Sequence, residues 1–116
     1  MTDTRLRLLK GTLDVLILRT LSWGPAHGYA ISRWIRQSSH GDLTIEEGAL
    51  YPALRRLEER GWVASSWQTT DTGREARVYT LTEAGRRATR TELAAWRQYV
   101  SAFTRVLEAR PRGSII

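Results

Sequence analysis

Residues 46–62, with the sequence EEGALYPALRRLEERGW, combine side chains that bind anions with the spacing of an amphipathic helix. Leu50, Leu54 and Leu57 recur at intervals of four and three residues, which places them on one helical face. The other face carries small residues, a tyrosine hydroxyl and arginines, and guanidinium groups bind phosphates and guanine edges in a bidentate manner. The pattern predicts a helix that packs by its leucines and presents its opposite face to an anionic partner.

The predicted contact residues of this segment are Gly48, Ala49, Tyr51, Pro52, Arg55 and Arg56. The two small residues allow a close approach of the backbone to a groove. Tyr51 offers a hydroxyl to a phosphate and a ring to a thymine methyl group, whereas Arg55 can reach a phosphate or a guanine edge. An alternative interpretation of RRLEER is a solvated face with ion pairs four residues apart, such as Arg55–Glu59.

Side chains suited to enzymatic chemistry are sparse. The two histidines, His27 and His40, fall at a helix start and in a turn, and the sequence contains no His-x-x-x-His motif and no Gly-rich phosphate loop. The adjacent pairs Glu46-Glu47 and Glu58-Glu59 would diverge on a helix, so they make poor acid–base pairs. Because the chain has no cysteine, disulfides, thiolate metal sites and cysteine nucleophiles are excluded. We expect no catalytic residue, no metal and no cofactor.

Length and charge set broader limits. The 116 residues correspond to one modest domain, and the net charge of +6 arises from 18 basic and 12 acidic side chains. Residues 1–81 hold 11 basic and 9 acidic residues, so most of the excess lies in residues 82–116, with 7 and 3. An excess of basic over acidic residues permits nucleic-acid binding.

No apolar run approaches the roughly 20 residues that span a bilayer, and the N-terminus lacks a signal-peptide core, so a cytoplasmic protein is expected.

Three helices are predicted in the first half of the chain. Apolar periodicity indicates helices at 10–22 and 27–39, with Gly and Pro at 23–25 and Gly41 as breaks. The third helix ends near Gly61, and Thr44 followed by Glu47 predicts a capping box at its start. Pro52 would then kink this helix. Alternatively, the helix begins nearer Gly48 and Pro52 lies in its first turns.

A β hairpin and a long helix are predicted next. Residues 62–68 and 76–81 are rich in β-forming side chains, and Val63, Ser65 and Trp67 share one face. Arg74 and Arg77 flank Gly73 at the hairpin, where two arginines could straddle phosphates or enter a minor groove. A final helix runs from Thr82 to about Glu108.

This order predicts a mainly α protein with a small β hairpin, namely a winged helix-turn-helix domain followed by a long C-terminal helix. In such a fold the third helix lies in the DNA major groove and the hairpin forms the wing beside it. We expect the DNA-binding domain at residues 1–81, a dimerisation helix at 82–108 and a flexible tail at 109–116.

The last helix carries an apolar seam that supports self-association. Its apolar side chains recur at intervals of three and four residues, namely Leu93, Trp96, Val100, Phe103 and Leu107. Ala95, Tyr99, Ala102 and Val106 widen the face. The first helix of the same chain is too narrow to cover it, so a two-fold dimer is the simplest partner. The alternative is a helix that packs wholly within its own domain.

Trp96 and Tyr99 are also candidates for an aromatic effector pocket, although interface packing explains either residue alone.

Three segments resemble the PadR-like transcriptional regulators, namely KGTLDVLILRTLSWGPAHGYAI (10–31), EEGALYPALRRLEERGWV (46–63) and GREARVYTLTEAG (73–85). The resemblance implies a homodimeric winged-helix repressor that binds a palindromic operator in double-stranded DNA. It also implies the compact subfamily with one long C-terminal helix, whose members commonly respond to small aromatic or hydrophobic effectors. Lys10, His27 and Tyr29 lie in the first segment and complete the predicted DNA contacts. His27 also suits a cap of the second helix.

Two alternatives remain. A winged helix can serve only as a protein-interaction module, and steep salt dependence of DNA binding would distinguish a DNA-binding protein from it. A winged-helix regulator of another family could sense metals or oxidants, but the absence of cysteine and the scarcity of histidine argue against such a sensor.

Overall fold

The structure, a computed structural model, describes residues 11–115, so the predicted contact at Lys10 lies outside the described residues. The elements in chain order are α1 (Thr12–Leu21), β1 (Ala26–His27), α2 (Gly28–Ser38), α3 (Glu47–Glu59), β2 (Val63–Thr69), β3 (Glu75–Leu81) and α4 (Glu83–Glu108). The predicted fold class, mainly α with a small antiparallel sheet and a long last helix, is confirmed.

Helix α3 begins at Glu47, so the predicted capping box between Thr44 and Glu47 is wrong. Glu46, in extended conformation, occupies the N-cap position. The physical reason lies in the preceding loop, where Leu43 and Ile45 pack against the hydrophobic core. The packing of these two partly buried side chains delays the start of the helix beyond Thr44, and tertiary packing therefore overrides the local capping signal.

Pro52 lies in the second turn of α3, which matches the alternative of a helix that begins near Gly48. A proline nitrogen cannot donate to the carbonyl four residues earlier, which here belongs to Gly48. Both residues are exposed, so water can satisfy that carbonyl and the cost of the missing hydrogen bond stays small.

Strand β3 is the central strand of a three-stranded antiparallel sheet with the order β1-β3-β2. The sequence predicted β2 and β3 to within one residue but missed β1, because a two-residue strand shows no alternation. In the register, Val63 pairs with Leu81 and Trp67 pairs with Arg77. Val63 is buried, so the side chains on its strand face, including Trp67, point toward the helices. We refer to β2, β3 and their connecting turn as the hairpin.

Helices α1 to α3 and the sheet enclose one hydrophobic core. Its buried residues are Leu13, Ile17, Leu18, Leu21, Ile31, Ile35, Leu50, Ala53, Leu54, Leu57, Val63, Tyr79 and Leu81. The three leucines of α3 that the spacing predicted as anchors all belong to this core. Their burial fixes which face of α3 remains exposed.

The start of α4 is fixed to the start of the hairpin by close backbone packing. Thr82 caps the helix, since its hydroxyl accepts the Gly85 N–H at 3.0 Å and donates to the Gly61 carbonyl at 2.6 Å. A Cβ at Gly85 would lie 1.9 Å from the Trp62 carbonyl oxygen, so only glycine permits this approach. Thr89 donates to the Gly85 carbonyl at 2.7 Å and is buried.

Candidate nucleic-acid interface

A groove of about 1040 Å³ lies between the N-terminus of α2, the exposed side of α3 and the hairpin. We call it the α3–hairpin groove. Six predicted contact residues line it, namely His27, Tyr29, Tyr51, Arg55, Arg74 and Arg77. Glu58, Glu59 and Glu75 also line it, so its surface is mixed in charge rather than uniformly basic.

The N-terminus of α2 is arranged as an anion-binding element. His27 caps the helix through Nδ1, which accepts the Ala30 N–H at 3.2 Å, and a neutral ring in this arrangement carries its proton on Nε2. The capping role predicted for His27 is confirmed. Tyr29 is 63% exposed and stacks on the His27 ring, with ring centroids 6.5 Å apart. The first turn contains no acidic residue, so the positive end of the helix dipole is not neutralised locally.

Tyr51 joins α3 to this element. Its ring lies against Gly28, the first residue of α2, so closely that a Cβ at Gly28 would lie 2.9 Å from the phenolic oxygen. Tyr51 nevertheless remains 51% exposed. The hydroxyl is therefore held beside the α2 N-terminus and stays accessible from the groove.

The exposed face of α3 contains the small residues that the sequence indicated. Gly48, Ala49 and Pro52 are all exposed. A Cβ built at Gly48 meets no atom within 4 Å. Pro52 lies beside Arg55 in a shallow depression next to the groove. Gly48 and Ala49 line neither the depression nor the groove.

Arg55 and Arg56 diverge. Arg55 lines the groove, whereas Arg56 turns toward α1 and donates to Asp14 at 2.9 Å. The Asp14 carboxylate is mostly buried, with 15% of its side chain exposed. The structure thus assigns Arg56 an ion pair with a residue of another helix. The two residues are 42 positions apart in the chain, so local spacing could not predict this pair.

The two hairpin arginines do not share one location, contrary to the sequence interpretation. Arg74 is exposed in the turn next to Gly73, which has a positive φ of 80°. Arg77 lies within β3 and faces α3. Its Nε donates to the Ser65 hydroxyl at 2.9 Å, and its terminal nitrogen lies 3.5 Å from a Glu58 carboxylate oxygen. The expectation that both flank the hairpin tip is wrong for Arg77, because strand pairing continues to Glu75.

Trp67, Ser65 and Glu58 belong to the groove region but were not predicted as site residues. Trp67 is 65% exposed although its strand face begins with the buried Val63. Alternation correctly placed Trp67 and Ser65 on that face. What the sequence could not show is that this face extends beyond the core and borders a groove.

Tyr79 forms part of the groove floor. Burial raises the pKa of its phenol above the usual value, and the nearby Arg77 guanidinium only partly opposes this effect. The phenol therefore stays protonated and neutral around neutral pH.

The second half of α4 carries an exposed apolar stripe. Val100, Phe103 and Leu107 are 45%, 52% and 70% exposed, whereas Leu93 and Trp96 are half-buried. Trp96 stacks on Tyr99 with ring centroids 5.5 Å apart. The alternative in which α4 packs wholly within its own domain is therefore wrong. Residues 109–115 follow the helix and are exposed.

Across residues 11–115, no group of three or more His, Cys, Asp or Glu side chains could hold a metal ion. In the same part of the chain, no helix combines the length and apolarity needed to cross a membrane.

Comparison with known proteins identifies the relatives of this chain. A sequence model described as the Transcriptional regulator PadR-like family matches residues 17–91. The transcriptional regulator Rv3488 of Mycobacterium tuberculosis is 46% identical over 57 residues, which cover 47% of this chain and 51%, about half, of that protein.

Solved structures similar to this chain are also transcriptional regulators. A PadR family transcriptional regulator from Eggerthella lenta is 35% identical, with a TM-score of 0.71, and the match covers 87% of this chain and 86% of that one. A transcriptional regulator from Clostridium thermocellum is 28% identical, with a TM-score of 0.74, and the match covers 83% and 90%.

Proposed function

Because this chain belongs to the PadR-like family of transcriptional regulators, we propose that it binds a specific duplex DNA sequence as a homodimer and represses transcription there. Members of this family regulate transcription and are not enzymes. The α3–hairpin groove and the exposed face of α3 are therefore interpreted as a binding surface rather than an active site. A regulator must reach the genome, so the proposal places the protein in the cytoplasm.

The observation that carries the proposal is a glycine that the protein itself does not require. Gly48 lies on the exposed face of α3, where a Cβ would meet no atom within 4 Å. Glycine in the middle of a helix costs roughly 0.5–1 kcal/mol of stability relative to alanine, and in the first turn, where Gly48 lies, it costs a smaller part of that. Close approach of another molecule to the helix backbone explains why this cost is tolerated, and a DNA major groove is such a surface.

In this proposal the contacts divide into two groups. Gly48, Ala49 and Pro52 face the base edges, where small and apolar side chains fit against thymine methyl groups. The groove residues hold the phosphates, through hydroxyls and helix amides as well as through exposed cations. Tyr51 and the α2 N-terminus form one such position, and Arg55 and Arg74 supply charge. Lys10 remains a predicted contact.

The apolar stripe of α4 supports the proposed dimerisation. The face of α4 that is buried against the domain at Gly85 and Thr89 continues beyond Trp96 as the exposed stripe. The same helix face is therefore covered by the domain near the start of α4 and exposed in its second half. A second copy of the same helix would cover it. Two recognition helices related by a two-fold axis would read a palindromic operator with half-sites about 34 Å apart. The proposal divides the chain into a DNA-binding part, residues 1–81, and a dimerisation helix, residues 82–108.

A small aromatic or hydrophobic effector would act at the same stripe. The stacked Trp96 and Tyr99 rings offer flat apolar surface beside the proposed dimer interface. A ligand bound there would change the separation of the two recognition helices and release the DNA.

The test is selection of duplexes from a random-sequence pool, followed by fluorescence anisotropy on the enriched duplex and a scrambled version at several salt concentrations. Enrichment, selective saturable binding and a stoichiometry of one dimer per duplex would support the proposal. Equal binding to both duplexes, lost as salt rises, would contradict it, because only charge attraction would then remain.

A further inference from the structure

The network around Arg77 connects the recognition helix to the hairpin. Arg77 on β3 donates from Nε to the Ser65 hydroxyl on β2 at 2.9 Å. That hydroxyl donates in turn to a Glu58 carboxylate oxygen on α3 at 3.1 Å. The same oxygen lies 3.5 Å from a terminal nitrogen of Arg77. Three elements thus meet in one chain of hydrogen bonds.

This arrangement uses one edge of the guanidinium and leaves the other edge available. The side chain of Arg77 remains 46% exposed and lines the α3–hairpin groove, whereas the Glu58 side chain is 28% exposed. A guanidinium carries five N–H donors in a fixed plane. When Nε is held by Ser65, the remaining N–H groups have a defined direction, and less conformational entropy is lost when they bind a phosphate.

We propose that Arg77 binds a DNA phosphate in the α3–hairpin groove and that Ser65 and Glu58 are positioning residues that orient its guanidinium. This inference rests on the proposed DNA-binding function. Ser65 is the sharper test of the two, because its removal changes no charge. Glu58 both holds the arginine and opposes the phosphate, so its substitution would mix two effects of opposite sign.

The experiment is a double-mutant cycle on the full chain with Ser65→Ala, Arg77→Ala and both together, measured by anisotropy on the duplex that the wild type enriches. Ser66→Ala is the matched control, because Ser66 is the next residue on β2, is exposed and points to the opposite face. Thermal melts confirm that each variant is folded.

Arg77→Ala should lower the salt slope of binding by about 0.9 for each half-site, as expected for the loss of one phosphate contact. Ser65→Ala should weaken binding roughly fivefold, since a hydrogen bond that orients a charged group is lost, and Ser66→Ala should have no effect. In the Arg77→Ala background, Ser65→Ala should have no further effect. Ser65→Thr, which keeps a hydroxyl at this position, should bind DNA with the affinity of the wild type.

Two results would overturn the inference while leaving the proposed function in place. One is an unchanged salt slope in Arg77→Ala, which would exclude a phosphate contact. The other is a full effect of Ser65→Ala in the Arg77→Ala background, which would show that Ser65 does not act through the arginine. If the wild-type protein selected no duplex at all, the proposed function itself would fail.

Discussion

The ring of Tyr51 on α3 lies directly against the backbone of Gly28 at the start of α2. A Cβ at Gly28 would lie 2.9 Å from the phenolic oxygen and 3.1 Å from two ring carbons. Glycine at this position therefore sets the location of the tyrosine hydroxyl relative to the α2 N-terminus. His27 and Tyr29, which the sequence singled out in one segment, and Tyr51, which it singled out in another, thus line the same groove.

Substitution of Gly28 by alanine should displace Tyr51 without unfolding the protein, because an exposed side chain can swing away from the new methyl group. DNA affinity should fall about fivefold, as for one lost hydrogen bond to phosphate. Anisotropy titrations of Gly28→Ala, Tyr51→Ala and the double variant test this. The double variant should bind like Tyr51→Ala alone. Additive losses would show that Gly28 acts independently of the tyrosine.

Substitution of Gly48 by alanine should separate stability from function. The methyl group meets no protein atom within 4 Å and Gly48 lies in the first turn of α3, so the free energy of unfolding should rise by about 0.5 kcal/mol at most. DNA affinity should fall, because the methyl group prevents close approach of α3 to the bases. Urea denaturation and anisotropy on the same preparations measure both quantities. Unchanged DNA affinity would remove the observation on which the proposed function rests.

The neighbouring arginines of α3 should behave differently when each is replaced by alanine. Arg55→Ala should weaken DNA binding about tenfold and reduce the salt slope, because Arg55 lines the groove. Arg56→Ala should leave DNA binding almost unchanged and lower the free energy of unfolding by roughly 0.5–1 kcal/mol, since Arg56 is half exposed and pairs with Asp14. If Arg56→Ala weakened DNA binding and Arg55→Ala lowered only the free energy of unfolding, the assignment of Arg55 to the groove and of Arg56 to the ion pair would be contradicted.

The sequence predicted the elements that obey periodicity. The leucines of α3 and the alternation of Val63, Ser65 and Trp67 each follow from the geometry of one element, so local spacing was sufficient. The order of these elements was sufficient to predict the fold class, which the structure confirms. For these reasons the exposed face of α3 could be predicted before any contact was known.

The sequence could not predict which partner each charged group selects. Asp14 pairs with Arg56 and Glu58 pairs with Arg77, and both pairs join different elements. Such choices depend on where the packed core directs each side chain. The capping box at Thr44 was mispredicted for the same reason, because packing of the partly buried Ile45 against the core outweighs a local capping signal.

Substitution of Gly85 by alanine should be strongly destabilising. The new Cβ would lie 1.9 Å from the Trp62 carbonyl oxygen, and backbone on both sides cannot move as a side chain can. The free energy of unfolding should fall by about 3 kcal/mol, the upper part of the usual range for overpacking. Gly113→Ala is the matched control, since a Cβ there meets no atom within 4 Å. Equal denaturation midpoints for the two variants would contradict the close packing of α4 on the Trp62 backbone.

Substitution of Phe103 by glutamate should convert a dimer to a monomer. Phe103 is 52% exposed on the α4 stripe and stacks against Tyr99 at 6.0 Å, so a charge there would have to be buried in the proposed dimer. The monomer fold should remain intact, because the side chain contributes nothing to the core.

Light scattering coupled to size-exclusion chromatography measures the change in mass directly. Gln98→Glu is the control, because it introduces the same charge at an exposed position on the opposite side of α4 and should keep the dimer mass. Trp96→Glu should act like Phe103→Glu, and both should weaken binding to a two-half-site duplex more than to a single half-site. A dimer mass in both variants would place the interface elsewhere on the protein.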